Sequence, residues 1–251
     1  MAAAPRPLLV ALLPTYNEAG NIEALIREIL ALDVPADVQA LVADDDSPDG
    51  TGRLVQAMAG ADPRVHALIR TKRRGRGAAG IDGFKAALAL GADYVVEMDA
   101  DFSHQPRFIP ALLAAAMGGA DAAIGSRFAP GGSDSDRSLV RRAITWFVRH
   151  FIRRRFRTAV RDVSSGFRLF RRGILERVDL DDLISVGPSI VLEILYKMER
   201  LHARIVEVPI EFVDRRAGAT KLNALTLFET LLMAVKFPRF YGPVPPAGGA
   251  A

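Results

Sequence analysis

The chain has 251 residues, half of them hydrophobic and a quarter charged, with no cysteine; 33 Lys and Arg stand against 29 Asp and Glu, a formal net charge of +4. This length suits one large domain or a domain with an appendage, and the lack of cysteine excludes disulfides and thiolate-held zinc. No uninterrupted apolar run reaches the ~18 residues of a membrane-spanning helix, Leu8–Leu13 is too short for a signal peptide's apolar core of about 7–15 residues, and the basic excess points to anionic partners such as phosphates, nucleic acid or an acidic membrane surface.

In the first half, short apolar runs alternate with helical patterns. Leu8–Leu13, Val38–Ala43, Val65–Ile69, Tyr94–Met98 and Ala120–Ile124 read as strands, and Asn21–Leu32, Thr51–Met58, Ala78–Leu90 and Arg107–Met117 as the helices between them. Such alternation predicts a mostly parallel, doubly wound α/β sheet. In the second half, Arg137–Phe156 reads as a long basic helix, Ser164–Phe170 as a short strand and Pro188–Leu201 as a helix. Ile205–Phe212 reads as a strand and Asp214–Thr220 as a polar loop. Leu222–Phe237 reads as a last helix with Leu225, Phe228, Leu232 and Val235 on one face. The tail Pro243–Ala251 has the Pro/Gly/Ala composition of a disordered segment.

The strand ends carry the chemistry. Glu97-Met98-Asp99-Ala100-Asp101 follows the apolar run Tyr94–Val96. Alternate residues of an extended chain face the same way, so Asp99 and Asp101 point at one spot beyond the carboxyl end of a strand, where ligands of open α/β sheets bind. Two converging carboxylates repel unless a cation sits between them. Mg²⁺ or Mn²⁺, which combines one or two carboxylates with phosphate oxygens and water, is the simplest candidate, and it would hold a diphosphate. Pro14-Thr15-Tyr16-Asn17-Glu18 closes the first strand with an aromatic and an acid suited to a base and ribose, or simply begins a helix. Asp44-Asp45-Asp46 closes the second strand ahead of the turn signal Ser47-Pro48-Asp49-Gly50 and the candidate cap Thr51. That turn does not explain three consecutive acids, which can accept from a base N–H or a ribose hydroxyl. Lys72–Gly80 is basic and glycine-rich and leads into a helix, as phosphate-holding loops do, without either standard glycine fingerprint.

Together these segments resemble the family 2 nucleotide-diphosphate-sugar glycosyltransferases, and within them the dolichol- or polyprenol-phosphate mannose synthases. The resemblance rests on Pro14–Glu18, Asp44–Thr51, Asp99–His104, Ile124–Arg127, Ser165–Arg168 and Asp214–Lys221, in order along the chain from about Leu8 to about Phe237. Four places depart from the family pattern. Arg74-Gly75-Arg76-Gly77 stands for Leu-Gly-Leu-Gly, Asp46 for a small or amide residue, Thr220 for Ser, and Val186-Gly187-Pro188-Ser189 for an aromatic-rich stretch.

The resemblance implies a GT-A fold: a Rossmann-like, mostly parallel central sheet flanked by helices, with C-terminal amphipathic helices. One catalytic domain would span 1–242, its nucleotide-sugar half about 8–128 and its acceptor and interfacial half about 129–242. Pro14, Tyr16, Glu18, Ala43 and Asp45 would line the nucleotide pocket, with Ala100 beside them. Asp99 and Asp101 would hold Mg²⁺ or Mn²⁺ and the diphosphate, with Ser103 or Gln105 near the metal. Arg127 would contact a donor or acceptor phosphate. Arg215 and Lys221 would lie on a mobile loop closing over the phosphates, freed to fold by Gly218. The activity implied is inverting transfer of mannose from GDP-mannose to a polyprenyl or dolichyl phosphate at the cytoplasmic face of a membrane, with a UDP-sugar such as UDP-glucose as the alternative donor. The lipid phosphate is already ionised near neutral pH, so no strong base is required, and His104 reads as positioning rather than as base. A separate membrane-anchoring subunit stays open.

Nine arginines and no acid lie between Arg137 and Arg161, interleaved with Val140, Ile144, Phe147, Val148, Phe151 and Ile152 at helical spacing. With Trp146 this reads as a membrane-interface helix, or as a helix packed on the sheet with solvated arginines. A nucleic-acid module built on the same cluster is disfavoured by the acidic strand ends and the want of an aromatic stacking platform.

Overall fold

In the computed structural model, which describes residues 5–72, 74–134, 139–212 and 224–246, with side chains described except at 134, 139–143 and 224–228, the sheet is built outward from β1 (Leu8–Thr15). Val10 and Leu12 face one apolar core, and Leu9, Ala11 and Leu13 face another. Alternation of a wholly apolar strand therefore demands helices on both sides. α1 (Ile22–Leu30), α2 (Thr51–Ala61) and α4 (Ile109–Met117) cover one face. α3 (Arg76–Ala89), α5 (Leu139–Phe156), α6 (Arg172–Val178), α7 (Ile190–Arg200) and α8 (Ala224–Tyr241) cover the other. The remaining strands are β2 (Asp37–Asp44), β3 (Val65–Ile69), β4 (Tyr94–Glu97), β5 (Ala122–Ser126), β6 (Ser133–Asp134), β7 (Arg168–Arg171), β8 (Ile205–Pro209) and β9 (Glu211–Phe212). Six of these join β1 in one sheet of seven strands, in the order β3-β2-β1-β4-β7-β5-β8. All its pairings are parallel except those of β7, which runs antiparallel between β4 and β5 with Phe170 opposite Val95 and Leu169 opposite Ala123.

Two predicted strands need correction. Ser164–Phe170 is a strand only from Arg168 onward. Ser165 Oγ donates to Gly125 O (2.6 Å) and accepts from Phe167 N–H (3.2 Å). The buried Arg168 guanidinium turns back onto the carbonyls of Ser165, Val163 and Val191, so the preceding residues are held as a loop. Ile205–Phe212 is two strands. Ile210 exchanges bonds with Ser126 O and Ser133 N–H (3.1 and 3.0 Å), which leaves β8 beside β5 and sends β9 to a two-stranded sheet with β6.

The two C-terminal helices also present faces other than those predicted. On α5, Ile152 and Phe156 are buried, and Val148 and Phe151 pack against the same core, whereas Ile144, Trp146 and Phe147 are exposed. On α8, Ala234 and Phe237 are buried and Leu232 is exposed; the side chains of Leu225 and Phe228 lie outside the described residues. Val244 is buried, and Tyr196 donates its hydroxyl to Gly242 O (2.6 Å) just before it. Residues 247–251 lie outside the described residues.

Candidate active site

The turns leaving β1, β2 and β4 converge at the carboxyl edge of the sheet. Each holds a non-glycine residue in the left-handed region: Asn17 (φ 62°), Asp46 (φ 54°) and Phe102 (φ 62°). Such conformations persist only where surrounding bonds over-determine them, and here they do. Asp44 accepts from Thr15 Oγ1 (2.9 Å), Ser47 N–H (2.9 Å) and Ser47 Oγ (2.6 Å). Asn17 N–H donates to Ser47 Oγ (3.0 Å) and Glu18 N–H to Thr51 Oγ1 (2.9 Å), while Asp49 accepts from Ala19 N–H and from Thr51. The first two loops are thus laced into one wall.

The three consecutive acids resolve into three jobs. Asp44 ties the two loops. Asp45, buried, pairs with the buried Arg70 and accepts from Gly75 N–H (2.6 Å), so it anchors the glycine-rich loop at the entrance to α3. Asp46 pairs with Arg74 (2.7 Å) on the exposed side. Of the other predicted nucleotide-pocket residues, Tyr16 is exposed, Pro14 and Glu18 are half-buried, and Glu18 accepts from Asn21 Nδ2 (3.0 Å). The methyl of Ala43 lies in the core. Gly77 N–H donates to Val186 O (3.0 Å), and a Cβ on Gly77 would stand 2.6 Å from that oxygen. The Val186–Ser189 segment therefore packs directly on the first turn of α3.

Beyond β4, Asp101 is buried and its Oδ1 accepts from both Ser103 N–H (3.0 Å) and Ser103 Oγ (2.5 Å). Asp99 is more open, with a third of its side chain exposed, and its Oδ1 accepts from Arg76 Nη2 (2.9 Å). Glu97 lies beneath, buried, with Oε1 4.0 Å from Arg76 Nη1. Burial opposes the charge on Arg76, but Asp99 and Glu97 outweigh it and keep the guanidinium protonated. Burial raises Glu97 above the usual carboxylate range despite Arg76. His104 is buried, stacked on Phe167 (centroids 5.1 Å apart) with Phe212 edge-on at 6.0 Å. Its Nδ1 accepts from Asp99 N–H (3.0 Å), and burial lowers its pKa against the pull of Asp99 and Asp101. The ring is therefore a neutral acceptor that orients the backbone of the acidic pair.

Asp99 and Asp101 offer only hard oxygen donors, and no group of three or more His, Cys, Asp or Glu that could cage a metal occurs among the described residues. This fits Mg²⁺ or Mn²⁺, which completes its shell with phosphate and water, and not a fully enclosed protein site. Ser103 touches Asp101 through both its N–H and its hydroxyl; Gln105 is half-buried at the start of the 3-10 turn before α4.

At the end of β5, the buried Arg127 makes a two-pronged bond to Asp162, Nε to Oδ2 and Nη2 to Oδ1, both 2.8 Å, and its backbone N–H also donates to Oδ2 (3.1 Å). Nη2 also donates to Ser164 Oγ (3.0 Å), and the guanidinium lies 5.2 Å from the Phe128 and Phe212 ring centres. Glu207 on β8 accepts from the N–H groups of Arg161 and Asp162 (2.9 and 2.8 Å), fixing the loop that holds Arg127. Phe212 thus touches both His104 and Arg127 and links the acidic pair to the arginine. Asp162 and Glu207 were not singled out from the sequence, and Glu97 and Arg76 were named only as members of their segments, without a role of their own; an acid between two arginine-rich stretches was the only signal for Asp162. Arg215, Gly218 and Lys221, and Arg73 of the basic loop, lie outside the described residues.

A family model described as glycosyl transferase family 2 matches residues 11–179. An undecaprenyl-phosphate mannosyltransferase of Micrococcus luteus is 37% identical over 229 residues, 91% of this chain and 93% of that protein. A polyprenol monophosphomannose synthase of Mycolicibacterium smegmatis is 35% identical over 93% of this chain and 88% of its own. Among solved structures, glucosyl-3-phosphoglycerate synthase from Mycobacterium tuberculosis, in complex with Mn²⁺, UDP-glucose and glycerol 3-phosphate, aligns with a TM-score of 0.66 at 21% identity, covering 97% of this chain and 82% of that one. That likeness bears on the fold alone, and the fold is the expected GT-A arrangement.

Proposed function

The chain belongs to glycosyltransferase family 2 and is a glycosyltransferase, and on that premise we propose that it transfers mannose from GDP-mannose to a polyprenyl phosphate, with inversion at the anomeric carbon. The observation that carries this reading is the Asp99–Asp101 pair linked through His104 and Phe212 to the rigidly held Arg127. It is an arrangement with a cation-binding end and an anion-binding end. The names of the two bacterial relatives support mannose as the sugar and a polyprenyl phosphate as the acceptor.

In this reaction an oxygen of the lipid phosphate attacks the anomeric carbon, the bond from that carbon to the diphosphate oxygen breaks, and the bonding pair leaves with GDP. The attacking oxygen is already anionic, so no group need remove a proton from it. The neutral His104, its Nδ1 committed to Asp99 N–H, suits that requirement. Asp99 and Asp101 would hold Mg²⁺ or Mn²⁺, which when bound neutralises charge building on the leaving diphosphate. Arg127 orients a phosphate, with its planar fork fixed by Asp162 before any ligand arrives. Arg215 and Lys221 complete the cation set. Ile144, Trp146 and Phe147, exposed among the arginines of α5, suit the boundary between headgroups and acyl chains, where the acceptor phosphate lies. The enzyme would then work peripherally at the cytoplasmic face.

The test is transfer by purified protein with Mg²⁺ or Mn²⁺ and a short polyprenyl phosphate, offered GDP-mannose or UDP-glucose. A mannosyl lipid from GDP-mannose alone is the expected product. A glucosyl lipid from UDP-glucose alone would keep the reaction class and replace the donor. No lipid product from either would overturn the proposal.

A further inference from the structure

Arg76 opens α3, where the helix dipole disfavours a cation. It is kept there by acids: Nη2 bonds Asp99 Oδ1 at 2.9 Å, while Nη1 stands 4.0 Å from Glu97 Oε1. That Oε1 is buried and has no hydrogen-bond partner among the described residues. Leaving a buried carboxylate oxygen unbonded is costly, and the donor that could satisfy it is about 1 Å beyond hydrogen-bond range. The slot is narrow. A Cβ on Gly166 would lie 2.5 Å from Arg76 Nη2, and one on Gly80 would lie 3.3 Å from Glu97 Oε1. Arg76 therefore sits between two carboxylates, bonded to the outer and close to the inner.

Asp99 cannot serve a guanidinium and a divalent ion equally, because two cations on one carboxylate repel. We propose that Arg76 is a displaceable counter-ion: it neutralises Asp99 in the metal-free site and passes to Glu97 when a divalent cation takes Asp99. Arg76 is then a positioning residue that sets the metal concentration at which the site fills. Glu97 is its second seat. The inference rests on the metal assignment to Asp99 and Asp101.

The experiment is a titration of MnCl₂ into the full-length protein, with and without GDP, followed by the electron paramagnetic resonance of free Mn²⁺. It compares wild type, Arg76→Leu, Glu97→Gln and the double variant, each checked for an unchanged circular dichroism spectrum. Arg76→Leu removes the competitor and binds Mn²⁺ about tenfold more tightly than wild type. Glu97→Gln removes the second seat and weakens binding, and in the Arg76→Leu background its effect shrinks severalfold. Equal affinity of wild type and Arg76→Leu would overturn the exchange while leaving the metal assignment standing. The same Glu97→Gln effect in both backgrounds would also overturn it, since Glu97 would then act on the ion directly. No Mn²⁺ binding by any of the four, even with GDP, would remove the metal assignment and the exchange together.

Discussion

Asp162 is the residue on which Arg127 depends, and Asp162→Asn isolates that dependence. Asp162 has no exposed surface, and Arg127 is nearly as deep, so water cannot replace the carboxylate. The substitution keeps the shape but removes the charge, and its amide presents N–H groups where Arg127 Nε or Nη2 now donates. Breaking a buried pair from one side leaves an uncompensated charge and costs about 3–5 kcal/mol. With a urea slope of roughly 3 kcal/mol per molar, the unfolding midpoint should fall by about 1 M or more, read by far-ultraviolet circular dichroism. The double variant Arg127→Met/Asp162→Leu removes both charges and should recover most of that loss. A loss under about 1 kcal/mol for the single variant, or a double variant no more stable than it, would refute the pairing argument. The pH dependence gives a second check. Burial raises the Asp162 carboxyl, but the charge and bonds of Arg127 more than reverse this and hold it below the ordinary carboxylate value. A folded pKa below the unfolded one stabilises above the unfolded value, about 3.9, and the contribution is lost as pH falls toward the folded value. The gap between wild type and Asp162→Asn should therefore be full near neutrality and narrow below about pH 4.

A Cβ on Gly83 would stand 2.3 and 2.9 Å from the two Leu12 methyls. Gly83→Ala should accordingly cost about 1–3 kcal/mol by thermal melting, and a neutral result would contradict the close packing of α3 on β1. Asp101→Asn keeps an acceptor for Ser103 N–H and so should fold normally, while metal-dependent transfer falls by about 10²-fold or more; wild-type rates at saturating Mn²⁺ would take Asp101 out of the mechanism. Trp146 and Phe147 are each 63% exposed. Replacing both with Ala should leave stability within about 0.5 kcal/mol and weaken co-sedimentation with anionic vesicles about tenfold or more, whereas unchanged binding would assign this patch to something other than a membrane.

Wherever apolar residues repeat locally, the architecture was readable from the chain. Val65–Ile69 is a strand with the predicted bounds, and the other four strands of the first half shift by only a residue or two at their ends. The place of the acidic segment just past β4 was readable from the polarity of parallel sheets, but β4 ends at Glu97, so Asp99 and Asp101 lie in the turn beyond it and strand alternation does not set their directions. What escaped depends on contacts between distant residues. β7 enters the sheet antiparallel by pairing with β4 and β5, strands far earlier in the chain, a choice that no local pattern around Arg168–Arg171 states. Arg127 and Asp162 are 35 residues apart, and nothing in either segment names the other. The apolar stripe of α5 follows helical periodicity, yet only its C-terminal half meets the core, since periodicity gives a face without saying what covers it.

The left-handed residues Asn17, Asp46 and Phe102 bear on how this rim could be altered. Each carries a side chain at a position where branching at Cβ would clash with its own backbone. A library meant to change donor preference at these turns should therefore omit Val, Ile and Thr there and keep Asn, Asp and Gly. Diversity is better drawn from neighbours such as Tyr16, whose exposed side chain can vary without disturbing the path of the main chain.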